Sequence, residues 1–424
     1  MTPEPDLALA ERLFAELRET SFDGVGITRD TYGEGEQRAH DMVEEVARVR
    51  GLEIAKDAAL NMFVTLPGAD RTRPAVMTGS HLDSVPRGGN YDGAAGVLAG
   101  LCVLAGWQDA GFTPAADTTL AIIRAEESSW FPVSYLGSRA AFGLLPPETL
   151  DTPRNDNGRP FREHLSRLGG SPDRVAAGEA HLDPARIAAF VEVHIEQGPM
   201  LVEAGEPVAA VTGIRGSFRY RHARVFGAYA HSGATPRSHR RDAVLAASRL
   251  VTVLSEDWAR LEGEGRDLAV TVGRFATDPD EADFAKVAGR VDFSLDVRSF
   301  EPATLDLVHD LLAGHVARIE AETGARFELG QRTGSTPAPM DEGLRAAILA
   351  EGEAMQLRVR EMPCGAGHDA ATFAGQGVPT AMIFVRNANG SHNPDEAMDF
   401  ADFAVATRLL GRVLMRDPLG RTAG

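Results

Sequence analysis

Hydrophobic positions along the chain follow two different periods, and these separate helices from strands. Apolar residues three and four positions apart predict helices over residues 6–20 and 36–50. Short apolar runs at 74–79, 118–125 and 187–195 are typical of buried parallel strands. Because helices alternate with these strands, the pattern predicts a three-layer α/β domain on a mixed, mainly parallel sheet.

The pattern changes after Gly213. Residues 218–226 alternate with a period of two, as expected of a half-buried strand. The series continues with a helix at 240–261, strands at 268–275 and 291–300, a helix at 303–323 and a short strand at 326–329. This order of elements is typical of a ferredoxin-like α+β domain.

The α/β pattern resumes near residue 335, with a helix at 341–356 and a strong apolar strand at 379–385. The chain therefore predicts one domain over 1–215 and 332–424 that is interrupted by a second domain over 216–331. Stretches rich in glycine and proline near 196–216 and 330–339 would form the two connections.

Composition limits the possible partners. The chain has 424 residues, 43% of them hydrophobic, which is enough for a large core and more than one ordinary domain needs. Its formal net charge of -18 argues against binding to nucleic acid or to anionic membranes, whose charges would repel it. Small molecules remain the expected partners.

Cysteine usage and the N-terminal residues indicate a reducing compartment. Cys102 and Cys364 are the only cysteines, which argues against a disulfide framework. The first residues carry acidic groups where a signal peptide needs basic ones, and the chain has no apolar run of about 18 residues. We expect a cytoplasmic protein.

Metal-ligand side chains follow four of the predicted strands. They are His81, Asp83 and Asp92; Glu126 and Glu127; His194 and Glu196; and His392. Because the carboxyl ends of parallel strands meet in one crevice, these side chains are expected to converge. Imidazoles and carboxylates suit divalent ions, and one carboxylate can bridge two ions that lie roughly 3.5–4 Å apart.

Each of these features has an ordinary alternative when it is taken alone. A histidine at a strand end is usually hydrogen-bonded, and an acidic pair is usually a solvated loop. Adjacent carboxylates directly after an apolar strand, however, would be costly to bury without partners. Successive side chains of an extended segment point in different directions, so one of Glu126 and Glu127 can bind a metal ion while the other acts as a general base.

The chain also contains a series of longer motifs. In chain order they are GSHLDSVPRGGNYDGAAG, AEESSWFPVSYLGSRAAFG, EVHIEQGPML, AHSGATPRSHRRDA, LDVRS, GAGHDAATFA and GSHNPDEAMDF. Together they resemble the hydantoinase/carbamoylase branch of the dinuclear-metal aminoacylase and carboxypeptidase superfamily, from about residue 25 to 405. HIEQGP is the most specific motif, since related peptidases tend to have an acidic ligand where this branch has histidine, here His194.

The resemblance implies two divalent ions per subunit, which could be Zn, Mn, Co or Ni. It implies that His81, Asp92 and His194 hold one ion, and that Glu127 and His392 hold the other together with Asp92, which bridges the pair. The ligand types do not select among these metals.

The resemblance also implies roles for residues around the ions. Glu126 would be the base that takes a proton from water and later gives one to the leaving amine. Asp83 would orient the imidazole of His81. His231, in the inserted domain, would reach the active site of the partner subunit in a homodimer and stabilise the oxyanion.

Three further residues are implied to contact the substrate. Arg298 would clamp a substrate carboxylate with its guanidinium. Gln197 and His368 would hold the ureido or carboxylate end. The substrate expected from these contacts is a small carboxylate-bearing ureide or amide.

The sequence departs from the family pattern at two places. Members of the family usually carry Asn-x-Ile-Pro-Gly where residues 285–289 are Ala-Lys-Val-Ala-Gly, so that Ala285 replaces the asparagine. Lys286 is either a substitute for the lost contact or a solvated surface lysine. Arg386 and Asn387 stand where Pro-Ser is common. These differences leave the exact substrate open.

The expected function is hydrolysis of a linear amide by a dinuclear metal-dependent amidohydrolase. The expected bond is that of the carbamoyl group of an N-carbamoyl amino acid, with release of the amine, carbon dioxide and ammonia. An allantoate-type amidohydrolase and an N-acyl amino acid or dipeptide hydrolase are the alternatives. A catalytically silent binding or oligomeric relative is the rival from another class, and the complete ligand set with Glu126 argues against it.

Overall fold

Residues 3–416 are described by the structure, which is a computed structural model. The chain divides into two compact units. The larger unit comprises the residues up to Thr212 and those from Met340 onward, and the smaller unit is Gly213–Pro339. The sequence placed the inserted segment at 216–331, inside these bounds.

The helices are distributed over both units. They are α1 (Leu7–Ser21), α2 (Glu34–Val49), α3 (Ala94–Asp109), α4 (Leu136–Ala141), α5 (Phe161–Arg167), α6 (Pro172–Ala176), α7 (Met200–Ala204), α8 (Ala243–Gly263), α9 (Pro302–Thr323), α10 (Glu342–Ala354), α11 (Ala370–Gly375) and α12 (Phe400–Met415). Short 3₁₀ turns occur at Pro147–Asp151, Pro184–Arg186 and Arg237–His239.

The strands form one large sheet and several antiparallel sheets. They are β1 (Glu53–Lys56), β2 (Met62–Leu66), β3 (Ala75–His81), β4 (Thr118–Ile123), β5 (Ile187–Ile195), β6 (Val208–Ile214), β7 (Gly216–Phe226), β8 (Ala230–His231), β9 (Ala269–Thr277), β10 (Lys286–Val287), β11 (Arg290–Ser299), β12 (Arg326–Glu328), β13 (Arg332–Ser335), β14 (Ala338–Pro339), β15 (Arg360–Cys364), β16 (Thr380–Val385), β17 (Asn387–Ala388) and β18 (Ala397–Met398). The predicted α/β class with a mixed sheet is confirmed.

The large sheet places its parallel strands at the centre. The strand order is β1-β2-β4-β3-β5-β16-β6, in which β4, β3, β5 and β16 run parallel and the outer neighbours are antiparallel. Every residue of β4, β5 and β16 is buried, which explains why these strands are mostly apolar. Helix α3 is buried almost all round and belongs to the same core as α1 and α12.

The smaller unit has its own antiparallel sheet and core. Its strand order is β12-β7-β11-β9, and β13 also pairs with β7. Helices α8 and α9 contribute their apolar sides to the core that this sheet forms. Strands β8 and β10 form a separate two-stranded sheet that pairs His231 with Lys286.

Within residues 3–416, no helix combines the length and the apolar character needed to cross a bilayer.

Candidate metal centre

The carboxyl ends of the central parallel strands bring the predicted ligands together. His81 is the last residue of β3, and His194 is the second-last residue of β5, the strand that neighbours β3 in the sheet. Glu126 and Glu127 follow β4 on the other side of β3. The convergence expected from parallel strands is therefore present in the larger unit.

Asp92 lies between two groups of donor atoms. Its Oδ1 is 3.5 Å from Nε2 of His81 and 3.3 Å from Nε2 of His194. Its Oδ2 is 3.4 Å from Nε2 of His392, which is itself 3.3 Å from Oε1 of Glu127. In each group the donor atoms lie within 4.8 Å of one another, so each group could hold one metal ion.

The hydrogen bonds of the buried imidazoles fit metal binding. Nδ1 of His81 lies 3.0 Å from the carbonyl oxygen of Asp83, and Nδ1 of His194 lies 3.0 Å from that of Ile195. In this arrangement Nδ1 carries the hydrogen and donates a hydrogen bond to the carbonyl oxygen. The lone pair of Nε2 is then free and is directed at Asp92. The set of imidazole nitrogens and carboxylate oxygens is one that divalent transition metals prefer.

The turn around Asp92 needs glycine and a buried glutamate. Gly93 has a φ of +65°, and a Cβ there would lie 2.5 Å from the imidazole of His81. Glu396 accepts hydrogen bonds from the backbone N–H groups of Tyr91 (2.8 Å) and Asp92 (3.3 Å). Asp92 is therefore held in place through its own backbone.

Asp83 organises the turn that carries the two glutamates. Its carboxylate accepts the backbone N–H groups of Glu126 and Glu127, each at 3.2 Å, and the hydroxyl of Thr31 at 2.6 Å. Its Oδ1 also lies 3.3 Å from Nδ1 of His81. One buried carboxylate thus contacts both the strand-end histidine and the glutamate turn.

Glu126 faces the same space as the candidate metal ligands. Its Oε2 is 3.9 Å from Nε2 of His81, and its side chain is buried. Burial raises the pKa of Glu126 well above its ordinary value, against the opposing effect of His81. A carboxyl group in such surroundings is suited to taking up and returning a proton.

Gln197 and His368 lie in the larger unit beside these ligands. Nε2 of Gln197 donates to Oδ2 of Asp92 at 2.8 Å, and its backbone has a φ of +63°. His368 is buried, with Nε2 3.1 Å from Sγ of Cys364 and its ring 4.2 Å from that of His194. Their contacts with substrate stay predictions.

His231 and Arg298 belong to the smaller unit. Nδ1 of His231, an exposed residue, accepts hydrogen bonds from the N–H groups of Gly233 and Ala234, both at 3.1 Å. Arg298 donates from two nitrogens to the carboxylate of Asp296, at 3.0 Å each. The roles implied for these two residues also stay predictions.

The departures from the family pattern have local explanations. Lys286 donates to the backbone oxygen of Glu281 at 3.0 Å and is exposed, as expected of a surface lysine. Arg386 forms an ion pair with Asp402 on α12 at 2.7 Å. Asn387 accepts the backbone N–H of Gln197 at 2.9 Å and so helps to hold its strained backbone.

Several residues around the site were not predicted from the sequence. Arg29 is fully buried, and its guanidinium donates to the backbone oxygens of Leu82 (2.5 Å) and Asp92 (3.3 Å). Its positive charge offsets part of the negative charge of the carboxylates around it. Glu396 stands in the motif GSHNPDEAMDF, and this was the one signal that could have drawn attention to it.

Comparison with known proteins identifies the family. Residues 77–416 match the model of peptidase family M20/M25/M40. The chain belongs to this family. N-carbamoyl-L-amino acid amidohydrolase of Geobacillus stearothermophilus is 35% identical over 407 residues, which cover 94% of this chain and 96% of that relative.

Other members of the family agree with this assignment. Allantoate amidohydrolase of Bacillus subtilis (strain 168) is 32% identical over 397 residues, which cover 93% of both chains. A crystal structure of a hydantoinase/carbamoylase family amidase from Burkholderia multivorans matches the whole chain with a TM-score of 0.87 at 28% identity. The resemblance to this branch of the M20/M25/M40 peptidases is confirmed, and so is the expected enzyme class, a hydrolase of linear amides.

Proposed function

We propose that the protein is a dinuclear metal-dependent amidohydrolase that cleaves the carbamoyl group of an N-carbamoyl amino acid. The observation that carries this proposal is the position of Asp92, whose two oxygens face two separate groups of donor atoms beside Glu126. The donor groups are suited to divalent ions, which supply Lewis acidity that polarises a carbonyl and lowers the pKa of water.

Glu126 is proposed to carry out both proton transfers of the reaction. Glu126 takes a proton from the attacking water, and the water oxygen forms a bond to the carbonyl carbon of the substrate. Glu126 then returns a proton to the leaving nitrogen as the carbon–nitrogen bond breaks. The carbamic acid fragment decomposes, so that the products are the amine, carbon dioxide and ammonia.

His231 is proposed to stabilise the oxyanion in the partner subunit of a cytoplasmic homodimer. Because its Nδ1 accepts two backbone hydrogen bonds, a neutral imidazole carries its proton on Nε2. Nε2 is then the donor that an oxyanion requires. The sequence resemblance supports the partner subunit as its place of action.

An N-carbamoyl amino acid is preferred over the alternative substrates because of what the relatives of this chain are named for. The Geobacillus stearothermophilus relative is named for N-carbamoyl-L-amino acids and has the higher identity of the two curated relatives described above. Allantoate is the second candidate, supported by the name of the Bacillus subtilis relative. Arg298 is proposed to bind the carboxylate that both substrates carry.

A substrate panel with one variant tests the proposal. The panel contains N-carbamoyl-α-amino acids, N-carbamoyl-β-alanine, allantoate and N-acyl amino acids, assayed with Mn, Co, Ni or Zn for release of ammonia or of the free amine. Glu126→Gln is expected to lower kcat by about 10²-fold or more, since it removes the base. Bound metal should stay at the wild-type level, because Glu126 is not a proposed ligand.

Glu203→Gln, an exposed carboxylate on α7, serves as the matched control and should be fully active. Light scattering on the same samples reports whether the 45.3 kDa chain forms a dimer. Unimpaired turnover by Glu126→Gln would exclude it as the base. A protein that binds no metal and hydrolyses none of the compounds would favour the catalytically silent alternative.

A further inference from the structure

The turn that follows β4 is held through its backbone by side chains from three other segments. Four successive N–H groups, those of residues 124 to 127, all donate to side-chain oxygens. The pairs are Arg124 to Asn61 (2.9 Å), Ala125 to Glu36 (3.0 Å), Glu126 to Asp83 (3.2 Å) and Glu127 to Asp83 (3.2 Å). The positions of the proposed base and of one proposed ligand therefore depend on these acceptors.

Ala125 is the strained point of this turn. Its φ is +56°, in the left-handed region that residues with a Cβ rarely adopt. Such a conformation persists only where its surroundings over-determine it. The side chain that holds the N–H of Ala125 is Glu36, and so Glu36 acts at the residue whose backbone sets the direction of Glu126 and Glu127.

Glu36 is itself fixed in place. It lies in the first turn of α2 and is completely buried. Its Oε2 accepts the backbone N–H of Tyr32 at 2.7 Å and forms an ion pair with Nη1 of Arg124 at 2.9 Å. Arg124 is anchored in turn by the carbonyl of Leu60 at 2.9 Å and by Oε1 of Gln37 at 2.7 Å. The carboxylate of Glu36 cannot move without breaking these hydrogen bonds and the ion pair together.

We propose that Glu36 is a positioning residue for catalysis, which aims Glu126 and Glu127 at the metal centre through the N–H of Ala125 and the ion pair with Arg124. This inference rests on the proposed function, because it takes the roles of Glu126 and Glu127 from there. It assigns to α2 a part in the reaction although α2 supplies no metal ligand.

Glu36→Gln is the variant that tests this role. It removes the charge that pairs with Arg124 and leaves an amide that cannot reproduce all three contacts. We expect kcat on the best N-carbamoyl amino acid of the panel to fall by about 10–100-fold, with KM changed by no more than about twofold. Titration with Mn²⁺ alone should show about 10–100-fold weaker binding of one of two ions, since Glu127 is displaced.

The matched control is Glu351→Gln in α10. Glu351 is also buried and also pairs with arginines, Arg412 at 2.7 Å and Arg416 at 2.6 Å. Its loss should lower the melting temperature without changing kcat or the Mn²⁺ titration. A Glu36→Gln protein that likewise loses only thermal stability would overturn the proposal, because Glu36 would then be merely structural.

Glu36→Asp covers the case in which Glu36→Gln does not fold. It keeps the charge, but its carboxylate is one methylene too short to reach the N–H of Ala125 and Arg124 together. A folded Glu36→Asp protein with wild-type kcat and two wild-type Mn²⁺ sites would refute the positioning role. If the wild-type protein hydrolyses none of the panel, the proposed function fails, whereas full turnover by Glu126→Gln would refute only its role as the base. In either case the Mn²⁺ titration still decides whether Glu36 positions Glu127.

Discussion

His40 is an unusual residue in the core because neither of its ring nitrogens makes a hydrogen bond. It lies in α2 with 2% of its surface exposed. Burial lowers the pKa of His40 well below its ordinary value, and the positive charges of Arg124 and Lys56 act in the same direction. The imidazole is therefore neutral in the folded protein.

His40 should make the protein sensitive to acid. Below its ordinary pKa of about 6.5 the unfolded chain binds a proton that the folded chain does not. The free energy of unfolding should then fall as the pH falls, by up to about 1.4 kcal/mol per pH unit from this one group. We expect His40→Leu to flatten the dependence between pH 6.5 and 5.5, as measured by urea unfolding of chelator-treated protein.

His239→Leu, at an exposed position, is the control for this experiment. It should leave the slope of unfolding free energy against pH as it is in the wild type. Identical slopes for His40→Leu and the wild type would show that His40 is protonated equally in both states.

At the scale of single residues, the sequence predicted the residues at the centre of the site but, apart from Asp83, not those that support them. His81, Asp92 and His194 stood out because polar groups directly after apolar strands need a reason to be there. Glu36 lies in a helix with several other glutamates, and burial of one of them leaves no mark in the sequence. Its contact with Ala125 joins residues 89 positions apart.

Helix α3 shows how closely an element can approach the sheet. A Cβ on Gly96 would lie 2.1 Å from the backbone oxygen of Val193 and 2.7 Å from Cβ of Ser80. A Cβ on Gly100 would lie 2.7 Å from Cδ1 of Leu120, the end of a flexible side chain. The two glycines let α3 pack closely on β4 and on β3 and β5, the strands that carry His81 and His194.

We expect the two alanine substitutions to differ in cost. Gly100→Ala should lower the free energy of unfolding by about 1–3 kcal/mol, because the side chain of Leu120 can move aside. Gly96→Ala should lower the free energy of unfolding by more. Its methyl group would meet the backbone carbonyl of Val193, one residue before His194, and this carbonyl cannot move aside. Chemical unfolding of both variants measures the difference.

Gly314→Ala in α9 gives the contrasting control. No atom beyond its own stretch of helix lies within 4 Å of its added Cβ, so alanine there should stabilise the protein by about 0.5–1 kcal/mol. Equal losses at Gly96 and Gly100 would contradict the packing described for α3.

At the scale of elements, the helices and strands that periodicity predicted lie within a few residues of those in the structure, but helices such as α12 were not predicted. The strand predicted at 118–125 ends at Ile123. The backbone N–H groups of the next four residues donate to side-chain oxygens and not to a neighbouring strand. Strand β2 was not predicted, although it pairs with β4 along its full length. A five-residue strand is too short for its apolar pattern to be distinctive, and tertiary pairing decides its structure.

At the scale of the molecule, negative charge is concentrated in the larger unit. Buried carboxylates surround the candidate metal centre, and they are Asp83, Asp92, Glu126, Glu127, Glu192, Asp369 and Glu396. Burial raises the pKa of Asp369 to about 8, and Glu192 adds to this effect. Divalent cations would offset this charge, whereas the smaller unit contains none of the five proposed ligands.

Metal removal should therefore destabilise one unit and not the other. Each unit has its own hydrophobic core, and calorimetry of the full chain is expected to show two transitions. Because a ligand stabilises only the unit that binds it, ions at 100 to 1,000 times their Kd add about 2.7–4.1 kcal/mol to the larger unit. A chelator should lower its transition temperature and leave the other transition unchanged.

Leu250→Ala identifies which transition belongs to the smaller unit. Leu250 is buried in the core of that unit, so its truncation should cost about 2–5 kcal/mol and lower only the metal-independent transition. If chelation and Leu250→Ala both shifted the same transition, the proposed ligands would not account for metal binding, or the two units would unfold as one. Glu127→Ala decides between these two explanations. If the proposed ligands do not bind the metal, the variant still responds to chelator as the wild type does. If the two units unfold as one, the variant responds more weakly.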